Sequence, residues 1–336
     1  MLIDTMTDML QDKFGRTINY LRLAITDRCN LRCTYCMPEN GLSWIKKPEL
    51  MSDDEILRLC KIFTELGVNK IRITGGEPFV RKNCIELMES IAKLDNITDL
   101  GITTNGLLTE PYIPQLKKIG IKSVNLSLDS LDADRFFKIT RRNEFSKVME
   151  TLDSLLEHDI QVKINCVVMD GQNIDDIIPL VELGRKLPIS VRFIEEMPFN
   201  GDSKEVSLKW SQQTIYDYIQ DHFQEIQKLK DPKNSTSYNY KIPGFIGEFG
   251  IIAAYTRTFC GDCNRLRISP LGILKNCLYE NGGINLKDEL RSGKSDEELK
   301  KIIINNIQHK PKDGWEAENA SLDTAFIHQS MATIGG

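Results

Sequence analysis

A chain of 336 residues with 41% hydrophobic and 27% charged residues, 22 Gly and 12 Pro has ordinary globular composition, which excludes collagen-like and largely disordered chains. Its 43 basic and 48 acidic residues leave a net charge of −5, so no global basic field points to a nucleic-acid binder. No apolar run approaches the ~20 residues that cross a bilayer, and the first ten residues carry two Asp and no Lys or Arg, unlike a secretory leader. A cytoplasmic chain is expected, with neither nucleic acid nor membrane among its partners.

In chain order, six short β-branched or aliphatic runs punctuate the first two hundred residues. They are YLRLAIT (20–26), KIRIT (70–74), DLGITT (99–104), SVNLSLD (123–129), QVKINCVVM (161–169) and ISVRFIE (189–195). Helical patterns separate most of them. The clearest starts at Ser52, with Glu55 three residues on as a capping box. It runs through Ile56, Leu59, Cys60, Phe63 and Leu66 at three-to-four spacing and stops at Gly67. Alternating strands and helices predict a parallel sheet with right-handed crossovers. Six units fall short of the eight that close a barrel.

Strand parity says what the sheet encloses. Parallel strands covered on both faces read as nearly unbroken hydrophobic runs, and these do not. Arg22 and Thr26 oppose Leu21, Leu23 and Ile25; Lys70, Arg72 and Thr74 oppose Ile71 and Ile73; Asn125, Ser127 and Asp129 oppose Val124, Leu126 and Leu128. Lys163 and Asn165 oppose Val162, Ile164 and Cys166, Thr103 and Asn105 share a face, and Arg192 adds a cation to the sixth strand. An antiparallel sheet with one wet face is the plain alternative. The intervening helices favour an α/β partial (βα)6 TIM-like barrel with a polar, cation-lined lumen. Such a lumen suits a large anionic ligand, because an uncompensated buried charge costs several kcal/mol.

After residue 200 the rhythm fails. NGDSKEV (200–206) is a polar break, a helix is expected from Trp210 to Phe223, and DPKNSTSYN (231–239) is expected to be a loop. Gly-punctuated strands follow, then helical stretches and an irregular tail. Two units are expected: a barrel over 14–200 and a smaller C-terminal α+β unit over 201–336.

Nine cysteines, an odd number in a long chain, argue for reduced thiols over a disulfide framework. Cys60, Cys84 and Cys166 lie alone in apolar, periodic surroundings and read as packing residues. The other six form two trios: Cys29, Cys33 and Cys36 in CNLRCTYC after the first strand, and Cys260, Cys263 and Cys277 in CGDCNRLR…NC. Zinc sites usually close with four ligands, and the four His, at 158, 222, 309 and 328, are remote in sequence. Thiolates at short spacing suit an iron–sulfur cluster; three of them leave one iron of a four-iron cube open. A zinc site, or a buried trio of structural thiols, remains an alternative on spacing alone.

CxxxCxxC after the first strand, followed one βα unit later by GGEP (Gly75, Gly76, Glu77, Pro78), resembles the radical S-adenosylmethionine superfamily. The resemblance implies a 4Fe-4S cluster on Cys29, Cys33 and Cys36 whose open iron chelates S-adenosylmethionine. It also implies contacts to that cofactor from Tyr35, Gly76, Ser127 and Met197. Ordinary readings stand beside three of these: a core aromatic, a strand-end Ser bonded to backbone, and a core Met.

LRLAITDRCNLRCTYCMP, RITGGEP, TTNG, FIEEMP, CGDCNRLR and the terminal Gly335 and Gly336 narrow the likeness, from FGR (14–16) onward. The set is similar to the family within that superfamily that cyclises GTP at the start of molybdenum cofactor biosynthesis. Ala24, Phe79, Val80 and the SPLG turn (269–272) depart from that family's usual residues. The resemblance implies a second 4Fe-4S cluster on Cys260, Cys263 and Cys277, with its open iron facing the guanine. It implies GTP contacts at Arg22, Arg72, Thr103, Lys163, Arg265, Leu266 and Arg267, with Arg192 a further candidate for the triphosphate. Arg265, Arg267, Gly335 and Gly336 would be catalytic, the two glycines on a tail that reaches the active site. Implied partners are a flavodoxin- or ferredoxin-like one-electron reductant and, in function, cyclic pyranopterin monophosphate synthase; a homodimer is left open. The rival readings are a peptide-modifying radical enzyme and a non-catalytic zinc or iron–sulfur protein. A conventional GTPase is excluded, because no GxxxxGK[ST] loop exists.

Overall fold

The computed structural model describes residues 10–199, 208–321 and 330–334. All six expected strands form: β1 (Tyr20–Ala24), β2 (Lys70–Thr74), β3 (Asp99–Thr104), β4 (Ser123–Ser127), β5 (Gln161–Val168) and β6 (Ile189–Glu195). Between them lie α1 (Asp53–Glu65), α2 (Cys84–Ala92), α3 (Ile113–Ile119), α4 (Ala133–Thr140), α5 (Phe145–Glu157) and α6 (Ile177–Leu183). The capping box forms as read: the Glu55 amide donates to Ser52 Oγ at 3.1 Å, and the Ser52 amide to Glu55 Oε2 at 2.8 Å. One face of α1 then buries Ile56, Leu59, Cys60 and Phe63.

Beyond residue 208 come α7 (Gln212–Gln220), β7 (Gln227–Lys228), β8 (Ser237–Lys241), β9 (Glu248–Ile252), β10 (Arg265–Ile268), β11 (Ile273–Lys275) and β12 (Ile284–Asn285). The helices α8 (Leu286–Arg291), α9 (Asp296–Ile307), α10 (Gly314–Ser321) and α11 (Met331–Ile334) follow. The expected loop over 231–239 yields its last three residues to β8, because Ser237, Tyr238 and Asn239 pair with Ile252, Ile251 and Gly250 of β9.

All twelve strands belong to one sheet, in the order β12-β11-β10-β1-β2-β3-β4-β5-β6-β9-β8-β7. Here the structure adds to the sequence reading. β10 pairs with β1 in parallel and β9 pairs with β6 in parallel, so the parallel run has eight strands, two of them from the C-terminal half. Antiparallel pairs finish both edges. These long-range pairings leave no local periodicity to read.

Parity holds across the sheet. Leu21, Leu23, Ile71, Ile73, Val124, Leu126, Val162, Ile164, Val191 and Phe193 are buried against the helices in one large core, together with Cys60, Cys84 and Cys166. At ~25 cal/mol per Å² of apolar surface removed from water, this face dominates the stabilisation. The opposite face is the lumen. Among the described residues no helix is long and apolar enough to cross a membrane.

Candidate active site

The lumen is a ring of cations and unpaired polar atoms. The register sets Arg22 between Arg72 on β2 and Arg267 on β10, and Arg267 beside Lys275. Across the sheet Thr103 faces Asn125, Asn125 faces Lys163, and Asn165 faces Arg192. Arg22 Nε, Thr74 Oγ1, Thr103 Oγ1, Asn125 Oδ1, Asn165 Oδ1 and Arg192 Nε are buried without a hydrogen-bond partner. Native interiors rarely leave such atoms unmatched, each costing ~1–3 kcal/mol, so this face is built for a polar guest. Arg72 is held by Tyr20 Oη at 3.0 Å and the Ile102 carbonyl at 3.1 Å.

The guest's charge follows from the electrostatics. Burial and the neighbouring Arg192, Arg72 and Lys70 push Lys163 down to about 8. Burial holds Arg22 and Arg267 below the usual arginine range, at about 10 and about 9, and neighbouring arginines lower both further. Lys163, Arg22 and Arg267 are each destabilised by burial and by neighbouring cations, so a polyanion would relieve all three together. Leu266 behaves differently. Parity turns its fully buried side chain into the helix-side core opposite Leu21, leaving only its backbone for a lumen contact.

The first thiol trio sits at the C-terminal mouth of the strands, where barrel enzymes place their chemistry. Cys29, Cys33, Tyr35 and Cys36 line a cleft of about 1130 Å³, open solvent at its mouth included, with Gly75, Gly76, Thr103, Ser127, Asp129 and Met197. The cysteine loop is braced by the Arg32 and Thr34 amides, which donate to the Thr140 and Ile139 carbonyls at 3.0 and 2.9 Å. Cys29 Sγ accepts from the Leu31 amide at 3.4 Å and from Asn105 Nδ2 at 3.6 Å. Burial pushes the Cys29 thiol up to about 12 and raises Cys33 and Cys36 too; a bound metal would be needed to hold them as thiolates.

Gly76 shows why the edge of this cleft has no side chain. A Cβ there would lie 2.4 Å from the Arg28 carbonyl oxygen, and its backbone hydrogen-bonds the Thr26 carbonyl at 2.8 Å. The next residue, Glu77, is fully buried and anchors the strand end, accepting from Thr104 Oγ1, the Asn105 amide and the Phe79 amide. Phe79, one of the departures, stacks on Tyr112 at 5.3 Å. Tyr35 does not stand free: its hydroxyl donates to Asp129 Oδ2 at 3.0 Å.

The second trio lies at the N-terminal end of β10, the strand that pairs with β1. Cys260 and Cys263 bracket a single 3-10 turn, and Cys277 follows β11 by two residues. Burial raises the Cys263 thiol, but Arg265 and Lys310 outweigh it and bring Cys263 down to about 6. Burial raises Cys260 and Cys277, and electrostatic interaction among all three thiols marks them as neighbours. Among the described residues no three such groups converge on the point a single ion would occupy. Three neighbouring thiolates are a donor set that an iron–sulfur cluster takes.

Several positioning residues escaped the sequence reading. Lys310, buried, donates to the carbonyls of Arg265 (2.8 Å) and Asn276, tying the two halves of the second trio together. Glu195 accepts from the Tyr255 and Thr256 amides at 2.8 Å, docking the approach to Cys260 onto the end of β6. Arg257 is sandwiched between Tyr279 and Trp315, 3.6 and 3.9 Å from their ring centroids. No local pattern marks these residues, since each acts across long sequence separations.

The C-terminal segment closes the arrangement. Ser330 Oγ donates to the Cys36 carbonyl at 2.6 Å, and the Met331 amide to the Phe199 carbonyl at 3.1 Å. Phe199, Tyr279, Ala317 and Ile334 form a small second core, against which Met197, Cys277, Leu278 and Met331 pack. One apolar knot therefore touches both cysteine loops. The expected catalytic Gly335 and Gly336 lie outside the described residues.

A partial parallel barrel with three thiols after its first strand and a glycine-edged cleft beside them defines the radical S-adenosylmethionine fold. The chain matches the Radical SAM superfamily over residues 23–184 and the family described as Molybdenum Cofactor Synthesis C over 189–315. It is 42% identical over 332 residues to a protein of Arabidopsis thaliana named GTP 3′,8-cyclase, mitochondrial, covering 98% of this chain and 84% of that one. A Clostridium perfringens (strain SM101) GTP 3′,8-cyclase is 41% identical, with 97% of this chain and all of that one covered. The Bos taurus molybdenum cofactor biosynthesis protein 1 is 43% identical over 295 residues, 88% of this chain and 47% of that protein, so the chain spans about half the length of that animal relative. Streptococcus suis SuiB, solved bound to S-adenosylmethionine, shares the fold at TM-score 0.60 and 17% identity, over 81% of this chain and 64% of that one. The chain belongs to the GTP 3′,8-cyclase family.

Proposed function

We propose that this chain cyclises GTP to 3′,8-cyclo-7,8-dihydroguanosine 5′-triphosphate, the first step of molybdenum cofactor biosynthesis, using two 4Fe-4S clusters, one on each cysteine trio. When bound, the first cluster and S-adenosylmethionine supply a 5′-deoxyadenosyl radical, chemistry that no side chain provides. The chain supplies geometry. The Gly75–Gly76 edge gives the methionyl end of S-adenosylmethionine close backbone approach. Ser127, Met197 and the Asp129-anchored Tyr35 line the same cleft.

Arg22, Arg72, Lys163 and Arg192 neutralise the triphosphate, with forked, charge-assisted bonds from the guanidinium groups. Arg265 and Arg267 lie on β10 between the lumen and the second trio, suited to orient the nucleotide with its C3′ toward the cleft. Holding two ligands in that relation favours loss of the 3′ hydrogen and bonding of C3′ to guanine C8, which is catalysis by positioning. The partner supplying electrons would be a flavodoxin- or ferredoxin-like protein, and the product would pass to cyclic pyranopterin monophosphate synthase.

One observation carries this reading: a polyanion-shaped deficit, the unpaired polar atoms and crowded cations of the lumen, lies between two separate thiol trios. Equilibrium GTP binding to the anaerobically reconstituted protein tests it. The Arg265→Ala/Arg267→Ala variant is expected to bind GTP at least about tenfold more weakly, since charge-assisted bonds contribute ~1.5–3 kcal/mol. It should still release 5′-deoxyadenosine from S-adenosylmethionine. Wild-type GTP affinity in that variant would remove GTP from the lumen.

A further inference from the structure

The reaction proposed above needs an electron from outside the chain, and the structure indicates where it enters. Helix α4 is the wall between the first cysteine loop and the surface. Its inner face carries Phe136 and Thr140, which line the cleft, and buried Ile139, whose carbonyl receives the Thr34 amide. Its outer face, one helix thickness away, carries Phe137 and Lys138. Phe137 is 50% exposed, among the most exposed large hydrophobic side chains described.

Around Phe137 the surface is cationic. Arg141, one turn on, donates to the carbonyls of Arg32 (2.8 Å) and Met37 (3.3 Å), and Arg142 donates to the Arg141 carbonyl at 2.7 Å. Arg32 itself donates to the Cys29 carbonyl at 2.6 Å and stacks over Trp44 at 5.1 Å. The flanking cations are paired: Arg135 with Asp176 at 2.7 Å and Lys147 with Glu144 at 2.6 Å. Among the described residues Arg32, Lys138, Arg141 and Arg142 form no ion pair, although the chain carries more acids than bases. Exposed Asp134 stands one turn before Phe137 on the same helix, so the patch holds four cations without an ion pair against this acid. An apolar centre in such a net positive rim fits the small, electrostatically steered contact of a transient electron-transfer encounter.

We propose that the outer face of α4, with Phe137 at its centre and Arg32, Lys138, Arg141 and Arg142 around it, docks a small acidic one-electron carrier protein. This rests on the function proposed above. Such a carrier is oxidised by one electron, a flavodoxin passing from its anionic hydroquinone to the neutral semiquinone. The first cluster is reduced by that same electron, and no bond or proton changes hands. The half-buried cysteine loop, which hydrogen-bonds the Ile139 and Thr140 carbonyls at the end of α4, would lie beside the carrier.

Charge reversal at Lys138 and Arg142 tests this, since among the described residues neither side chain hydrogen-bonds the cysteine loop. A purified acidic flavodoxin serves as the probe, with the reconstituted Lys138→Glu/Arg142→Glu variant and, separately, Phe137→Ser. Calorimetric affinity for flavodoxin is expected to fall at least about tenfold in the double variant, and wild-type affinity should weaken as salt rises, since exposed charges are screened beyond ~8 Å at 0.15 M. Flavodoxin-driven 5′-deoxyadenosine formation should fall with it, while dithionite-driven formation stays within about twofold of wild type. Unchanged flavodoxin affinity and unchanged flavodoxin-driven rate in both variants would overturn the docking face. Failure of the wild type to form 5′-deoxyadenosine even with dithionite would instead count against the proposed function, and the binding measurement would still decide the surface.

Discussion

Lys163 shows how one side chain carries the lumen's character. Burial, then Arg192, Arg72 and Lys70, hold it at about 8, against ~10.4 for a free lysine. Between these values the unfolded chain keeps the proton that the folded chain has released, so this group's contribution to stability rises with pH through that window. A bound triphosphate reverses the local field, and GTP binding near pH 8.5 should therefore take up protons. Calorimetry in buffers of different ionisation heat should show that uptake in wild type and a smaller one in Lys163→Gln; equal uptake in both would place the titrating group elsewhere. Arg22, Arg72, Lys163 and Arg192 were legible in the sequence because each alternates with aliphatic neighbours on its strand. Lys310, Glu195 and Arg257 were not, since Lys310 reaches carbonyls 45 and 34 residues away, Glu195 reaches amides 60 and 61 away, and Arg257 reaches the Gly314 carbonyl 57 away. Asp129 was visible as a lumen residue, but its bond to Tyr35 required the folded chain.

At the level of elements, the junction of β2 with the loop after β1 is the tightest feature of the cleft. The Gly76 amide donates to the Thr26 carbonyl and the Glu77 amide to the Arg28 carbonyl, both at 2.8 Å. A Cβ on Gly76 would lie 2.4 Å from backbone oxygen, which cannot swing aside as a flexible side chain would. Gly76→Ala should therefore displace the segment leading into Cys29. Its S-adenosylmethionine affinity is expected to drop at least about tenfold with the far-ultraviolet circular dichroism preserved; wild-type affinity would show that the close approach is not required. The six barrel strands and the capped α1 were readable because polar and apolar faces alternate at a fixed period. The parallel docking of β9 on β6 and of β10 on β1 was not, because pairing partners more than fifty residues apart leave no trace in either strand's own pattern.

The whole molecule is an acidic chain wrapped around a basic interior. Its net charge is −5, yet Arg22, Arg72, Lys163, Arg192, Arg265 and Arg267 share the lumen face of one sheet. The continuous sheet and the small core around Phe199, Tyr279 and Ile334 bind the two cysteine loops into one frame. In such a frame the distance between S-adenosylmethionine and the ribose is fixed by the fold, and a misplacement of ~1 Å can cost ~100-fold in rate. Anaerobic turnover of the reconstituted protein with GTP deuterated at C3′ probes that distance directly. Deuterium recovered in 5′-deoxyadenosine, together with a cyclised nucleotide, is the expected result; 5′-deoxyadenosine free of deuterium, with GTP recovered intact, would contradict it.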